Sequence, residues 1–523
     1  MKLGQLFFVI ILIFTTSLVK VLAQGNNSDI SNNRRLKENE AQFSNQLQLN
    51  QVILLNTTVF SEEEVSQIVE EYLDKEISLF DLRAIQELLT SAYVDAGYIN
   101  SIVVLQSQKI TEGVIYYKAI EGSVQLEIKG TENLKEYLAA RLLPFLGSPF
   151  NQNVLLERLQ ILSQNPKLEE ISANISQTGE IGQSILTVNV VEADSWQIRT
   201  TINNFENPLI GDVGGEIQLL NQKIWYGDSL RLLYKETEGL QRFLAVYRHE
   251  LAPNDSSFQF AYQESDSEIV EGNLEPFNVR NEAFTASFNY SQYFLKTANR
   301  SLTIDLGIER RESRGTVLNR RLFSDPLLTV GRIGATYSEV IPGRVIFGSS
   351  TFSIGGSSEE IDPTFFSWKA QGQVIKALTD DLQLYGRLAI HLSPHRQPGG
   401  ERCALGGKNG NVFIFGNTVR GYGTNFVSDD NCFAGTLELR YSLLREESMA
   451  FQVLGFVDYG QVWGSLESIL PRRTLISTGV GLRFEWHSLR VGLDVGAPLN
   501  SVAPTDTNQL NEATFSVEGV FKF

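Results

Sequence analysis

The chain has 523 residues, 42% of them hydrophobic, with 44 Lys and Arg against 61 Asp and Glu and a formal net charge of −17. That length allows more than one domain, and the ordinary apolar fraction excludes wholesale disorder. The acidity is spread along the chain as solvated surface and excludes a nucleic-acid partner, which would need a basic footprint.

At the N-terminus Lys2 precedes an apolar run over residues 6–13 that continues to Leu18, and Val21-Leu22-Ala23 before Gln24 has the small-residue form of a signal-peptidase site. Residues 1–23 therefore read as a signal peptide. The alternative is a single anchor, for which the run falls short of the ~20 residues a spanning helix needs. Residues 24–50, from Gly25-Asn-Asn-Ser-Asp29 through Arg34, Arg35, Lys37 and Glu38, are polar enough to predict a flexible N-terminal segment. The only cysteines are Cys403 and Cys432. In an exported chain such a pair can be kept oxidised, the alternative being two thiols.

Residues 51–194 read as one α+β pattern given twice. In the first unit a short apolar strand at 52–55 precedes Ser61, which forms a capping box with Glu64, and Val65, Ile68, Val69, Tyr72 and Leu73 share one helical face. Ser78 opens a second helix carrying Leu82, Ile85, Leu88, Leu89 and Tyr93, with Gly97 at its C-terminal cap and strands expected at 99–106 and 113–119. The second unit starts on the alternating strand 124–129, continues through a helix at about 132–143 and one from the N-cap Asn151 to Gln164, where Pro166 stops it, and ends on strands at 171–177 and 184–191.

From Ser195 helical periodicity disappears, and alternating segments of roughly ten residues follow one another between Gly, Pro, Asn and Asp turns. Leu382, Leu384, Gly386, Leu388, Ile390 and Leu392 interleave with Gln383, Tyr385, Arg387 and His391; Val480, Leu482, Phe484 and Trp486 interleave with Gly481, Arg483, Glu485 and His487. Greasy outward faces and charged inward faces predict a transmembrane β-barrel of about sixteen antiparallel strands around a watery lumen. A β-sandwich, the alternative, would not so often set Arg or Glu between large apolar residues. The end of the chain, Phe515-Ser-Val-Glu-Gly-Val-Phe-Lys-Phe523, alternates in the same way, with Phe521 and Phe523 as the C-terminal barrel signal and Ser516, Glu518 and Lys522 facing inward.

This order of parts resembles the outer-membrane two-partner-secretion transporters (TpsB) of the ShlB/FhaC/HecB hemolysin secretion/activation family over nearly the whole chain. Tyr93-Val-Asp-Ala-Gly97-Tyr98-Ile99, followed by Gln108 and Gly113, is similar to the family's Y-x-x-x-G-Y-I module motif and its Q-x-x-x-x-G continuation. Val419-Arg420-Gly421-Tyr422, between the eleventh and twelfth segments, matches a V-R-G-F/Y motif at the tip of a hairpin folded into the lumen. Phe456-Val-Asp458-Tyr-Gly460, on the thirteenth, matches F-x-D-x-G on the barrel wall. Departures are Thr418 in place of a serine and an inserted stretch, 408–417, after Gly406-Gly407. The stretch before the first module is short for the plug helix and linker of some relatives.

The resemblance implies a signal peptide at 1–23, POTRA domains at 51–121 and 122–194, and an outer-membrane barrel at 195–523 with a lumenal loop at about 400–432. It implies a monomeric translocase that secretes an unfolded, β-rich exoprotein bound by POTRA domains in the periplasm, with outer-membrane lipid and, during biogenesis, the barrel assembly machinery as its other partners. The alternatives are a BamA-like outer-membrane assembly and insertion factor and a passive porin. A guanidinium inside a channel needs a partner, so Arg420 and Asp458 are expected to form a charge-assisted clamp, with Gly421 and Gly460 allowing close approach and Tyr422 and Phe456 shielding it. The alternative for Arg420 is an exposed loop charge. A bridge between Cys403 and Cys432 would staple the base of the same loop, contributing roughly 3–4 kcal/mol on the chain-entropy model. No enzyme is expected and no cofactor or metal. There are four His, no Cys/His cluster with metal spacing, and no phosphate loop or serine elbow. Glu62, Glu63 and Glu64 suit a helix's first turn, and Glu446 and Glu447 a short turn.

Overall fold

A computed structural model describes residues 47–225, 227–253, 255–318, 320–321, 327–358, 364–407, 419–465, 473–500 and 513–523. Residues 1–23, expected to form a signal peptide, most of the polar segment 24–50 and the stretch 408–417 lie outside the described residues. The chain divides into two compact units, Met1–Ala193 and Asp194–Phe523.

The first unit holds two α+β modules. The first runs β1 (Leu47–Leu49), β2 (Gln51–Leu55), α1 (Glu62–Ile68), β3 (Lys75–Ile77), α2 (Leu79–Asp95), β4 (Ile102–Leu105) and β5 (Val114–Ile120). The main sheet has the order β2-β5-β4, with β2 parallel to β5. Both helices start on capping boxes, Ser61 with Glu64 and Ser78 with Asp81, so two orphan amides at each N-terminus are satisfied by side chains. Ile85, Leu89 and Tyr93 of α2 then pack against Ile115 and Tyr117 of β5, all of them buried.

Two local expectations are corrected here. The helix expected to run to Leu73 leaves α geometry at Val69 and tightens into a 3₁₀ turn over Glu70–Tyr72. Asp74 then takes a left-handed φ of 59° and donates its amide to Leu49 at 2.8 Å, which draws the chain into a β1–β3 ladder. Residues 47–49, expected in the flexible segment, are therefore a strand whose Leu49 is fully buried.

The second module repeats the order with β6 (Ser123–Lys129), α3 (Lys135–Leu142), α4 (Gln152–Ser163), β7 (Leu168–Gln177) and β8 (Gln183–Glu192). The sheet is β6-β8-β7, and its core gathers Leu138, Leu142, Phe150, Leu155, Leu186 and Val188. Asn151 caps α4 by accepting from the amides of Asn153 and Val154.

The second unit is a closed antiparallel barrel. Its strands are β9 (Trp196–Asn203), β10 (Gly214–Asn221), β11 (Ser229–Thr237), β12 (Leu240–Leu251), β13 (Ser256–Glu268), β14 (Arg280–Lys296), β15 (Arg300–Val317) with the short return β16 (Arg320–Arg321), β17 (Leu327–Ile341), β18 (Arg344–Ser357), β19 (Thr364–Ala377), β20 (Leu382–Leu392), β23 (Asn431–Arg445), β24 (Met449–Trp463), β25 (Arg473–Trp486), β26 (Leu489–Pro498) and β27 (Ala513–Lys522). Setting β16 aside as a hairpin extension of β15, sixteen strands close the ring. Two further strands, β21 (Cys403–Leu405) and β22 (Val427–Asp429), pair with each other in the segment between β20 and β23.

Alternation puts apolar rings outside, where lipid replaces water. Phe258, Phe260 and Tyr262 of β13 are exposed and meet Tyr290, Phe288 and Phe284 of β14 as cross-strand aromatic pairs. Closure joins the last strand to the first. β27 pairs with β9, and Trp196 and Phe523 exchange backbone hydrogen bonds of 3.1 and 3.0 Å, leaving no free edge. Phe521 on this closing strand and Phe523 just after it are exposed. Among the described residues no helix is long and apolar enough to cross a membrane.

Candidate functional site

A barrel of sixteen strands is too wide for its wall side chains to fill. Here the chain itself occupies part of the lumen. The segment between β20 and β23 turns at Gly399–Glu401, forms the β21–β22 hairpin and brings Leu405, Val419, Tyr422 and Val427 into a buried cluster with Val462 of β24 and Leu475 of β25. Cys403 and Cys432 are bonded at the base of this loop, with Cα atoms 6.0 Å apart.

The guanidinium of Arg420 is the centre of the seat, with Arg420 2% exposed. It donates from Nε to Oδ2 of Asp458 at 2.8 Å and from Nη2 to Oδ1 at 2.9 Å, a bidentate fork, and its own backbone amide donates to Oδ2 at 3.0 Å. Asp458, on β24, is fully buried. The Phe456 ring lies under the guanidinium, 3.4 Å from its carbon to the ring centroid, so the cation is held at its edge by charge and on its face by a π-system.

Two more carboxylates complete the notch, and neither was legible from the sequence. Glu438 of β23 lies 2.8 Å from Arg420 Nη1 as an ion pair, and Asp494 of β26 lies 3.6 Å from the same nitrogen. Each also holds a second arginine: Arg440 on Glu438 and Arg483 on Asp494. The three carboxylates are thus shared among Arg420, Arg440 and Arg483, and Arg387 of β20 adds a further cation that interacts with Asp458. Lumen-facing charges occur on almost every strand, so only the register of β23, β24 and β26 could have singled out these two.

Shape matters as much as charge. Gly421 sits at φ +90°, and a side chain there would meet the Gly496 backbone of β26 at 3.0 Å. A Cβ on Gly460 would come within 2.8 Å of Val419 and 2.9 Å of Leu405, both fully buried. Tyr422 is buried in the same cluster. Its hydroxyl lies 3.1 Å from the Ile476 carbonyl and 2.8 Å from Oδ1 of Asn500, which pins the loop to the rim after β26.

In the first module, Tyr93 donates its hydroxyl to Thr57 Oγ1 at 2.7 Å and lies 3.1 Å from Oε1 of Glu121, with Phe60 edge-on at 4.9 Å. Tyr98 packs its ring edge-on to that of Tyr93. Gly97, at φ +94°, ends α2 and accepts on its carbonyl from the amide of Gln152 at 2.9 Å, so the same residue joins the two modules. Gln108 uses its side-chain amide in place of a strand backbone, donating to the Tyr116 carbonyl and accepting from its amide, each at 2.8 Å.

The comparisons with known proteins agree with this architecture. The profile of ShlB-type POTRA domains matches residues 47–122, and that of the haemolysin secretion/activation protein ShlB/FhaC/HecB matches residues 182–484. No curated protein matches the chain by sequence. Among solved structures, CdiB from Escherichia coli is similar with a TM-score of 0.71 at 18% identity, over 91% of each chain. CdiB from Acinetobacter baumannii gives 0.64 at 16% identity, over 94% of this chain and 98% of its own. BamA from Haemophilus ducreyi lacking POTRA domains 1-3 gives 0.53 at 13%, over 91% and 100%. At such identities these likenesses establish the fold alone. The family profile, however, covers more than half of the chain, and the protein accordingly belongs to the ShlB/FhaC/HecB haemolysin secretion/activation family of bacterial outer-membrane transporters, with its POTRA region in the periplasm.

Proposed function

We propose that this transporter secretes one unfolded, β-rich exoprotein from the periplasm to the cell surface through its barrel. The observation that carries the reading is the loop between β20 and β23, folded into the lumen and held by Arg420 against Asp458, Glu438 and Asp494. Such a loop obstructs a passage that sixteen strands would otherwise leave, and its release from the wall opens the path. Residues 51–121 and 122–194 act as two POTRA domains. The edge strands β2 of one sheet and β7 of the other offer backbone to an extended client by β-augmentation, whereas on β4 the Val103 and Leu105 amides already donate to Thr90 and Gln86, and on β6 the Val124 amide donates to the Leu146 carbonyl. Folding of the client outside gives the movement its direction. Residues 1–23 direct export of the transporter, and Phe521 and Phe523 mark its last strand for the barrel assembly machinery.

Deleting the transporter from its host and comparing the secreted and outer-membrane proteins tests this. Loss of one large secreted protein, with the census of outer-membrane barrels unchanged, is the expected result. General loss of barrels would instead support the insertion factor suggested by the fold shared with BamA. Survival of all secretion would point to a passive pore.

A further inference from the structure

The folded-in loop is held at a second place that the Arg420 notch does not explain. Glu401, in the 3₁₀ turn before β21, is 2% exposed although it carries a carboxylate. Arg332 of β17 donates to it twice, from Nη2 to Oε1 at 2.8 Å and from Nη1 to Oε2 at 3.2 Å. Lys369 of β19 reaches Oε2 at 3.1 Å. Arg311 of β15 lies 3.7 Å from Oε1 and donates to the neighbouring Gly400 carbonyl at 3.0 Å. Glu309 shares Arg311 at 2.6 Å and Arg332 at 3.5 Å. Among these groups, removing the Glu401 charge leaves three cations around one carboxylate, which is costly at this degree of burial.

The two seats have opposite sign and lie on different sectors of the wall. Stepping from β17 through β18, β19, β20 and β23 to β24 separates Arg332 from Asp458 by five strand pairings. Cationic side chains of the wall grip an anion of the loop at one sector, and carboxylates of the wall, themselves shared with wall arginines, grip a cation of the loop at the other. Neither loop charge fits the other's seat, so the pair fixes which limb of the loop rests where, as complementary charges fix register elsewhere.

We propose that Glu401 is a positioning residue, a second electrostatic latch that holds the near limb of the loop against β15, β17 and β19, so that the lumen opens fully only when both latches release. This rests on the reading of the loop as the obstruction. The test is single-channel recording of the purified full-length protein in planar lipid bilayers, with heat-modifiable electrophoretic migration reporting the folded barrel. Glu401→Gln and Arg332→Gln should each raise the open fraction about tenfold or more. Their combination should exceed Glu401→Gln by little, because both remove the same interaction. Glu401→Asp, which keeps the charge, should stay mostly closed. Asp458→Asn is the reference for the first latch. A folded Glu401→Gln barrel with the wild-type open fraction, beside an Asp458→Asn barrel that opens, would overturn the second latch alone. If neither variant opens, the obstruction reading falls and the latch with it. Should Glu401→Gln not fold, Arg332→Gln and Lys369→Gln decide, since folded variants that stay closed would equally overturn it.

Discussion

Arg420 enters a dry wall because its charge is divided among three carboxylates, each already oriented by a neighbour or by strand pairing. Losing one of them leaves a buried guanidinium short of compensating charge, and Asp458→Asn is expected to weaken loop seating by about 3–5 kcal/mol. The arrangement also predicts how a reciprocal exchange behaves. With Arg420→Asp and Asp458→Arg together, the new carboxylate on the loop would face Glu438 and Asp494. A secretion assay should therefore find the double exchange no better than the single changes, even though the pair is in contact. Wild-type secretion by the exchange would mean that Glu438 and Asp494 do not govern the seat. Tyr93 offers a residue-scale test in the first module. Burial first, and then the Glu121 carboxylate, push its phenol up to about 12. The folded state thus favours the neutral phenol. Its contribution is fully present below the ordinary value near 10 and is lost as pH rises from about 10 to about 12. Thermal melts of residues 47–193 should show that loss, smaller in Tyr93→Phe; the phenols of Tyr117 and Tyr72, also raised, contribute to the remainder. An unchanged slope in Tyr93→Phe would contradict this assignment.

At the scale of elements, legibility followed the range of the interactions. Ser61 with Glu64, Ser78 and Asn151 announce helix starts because capping is settled within three or four residues, and all three act as N-caps in the fold. Alternation announces the barrel strands for the same reason, since period two is a local property. The strand Leu47–Leu49 escapes such reading because it exists only through a partner in Lys75–Ile77, and the break at Val69 follows from the same pairing. The loop between β20 and β23 is intermediate. Arg420 and Asp458 stand out through the motifs around them, whereas Glu401, Glu438 and Asp494 become partners only when closure and register bring distant strands together. Cys403 and Cys432 tie the loop to the start of β23 across a separation of 29 residues.

In the whole molecule the barrel and the loop answer each other. A closed ring of sixteen strands satisfies every edge and leaves an interior, part of which the chain occupies with one of its own segments. A loop whose seating depends on ion pairs is easier to displace than an apolar plug of the same size, because water entering the lumen competes for each charge. The central claim is that this loop moves out of its seat when the client passes. Thr424 on the loop donates its hydroxyl to the Phe205 carbonyl at 2.8 Å, and its own carbonyl accepts from Asn207 at 2.8 Å, which places a tether beside Arg420 without touching the clamp. The most direct measurement is secretion by Thr424→Cys with Asn207→Cys, in a background of Cys403→Ser and Cys432→Ser, before and after joining the thiols with a short cleavable cross-linker. The account predicts that secretion stops in the cross-linked barrel and returns on cleavage; undiminished secretion by fully cross-linked protein would contradict it.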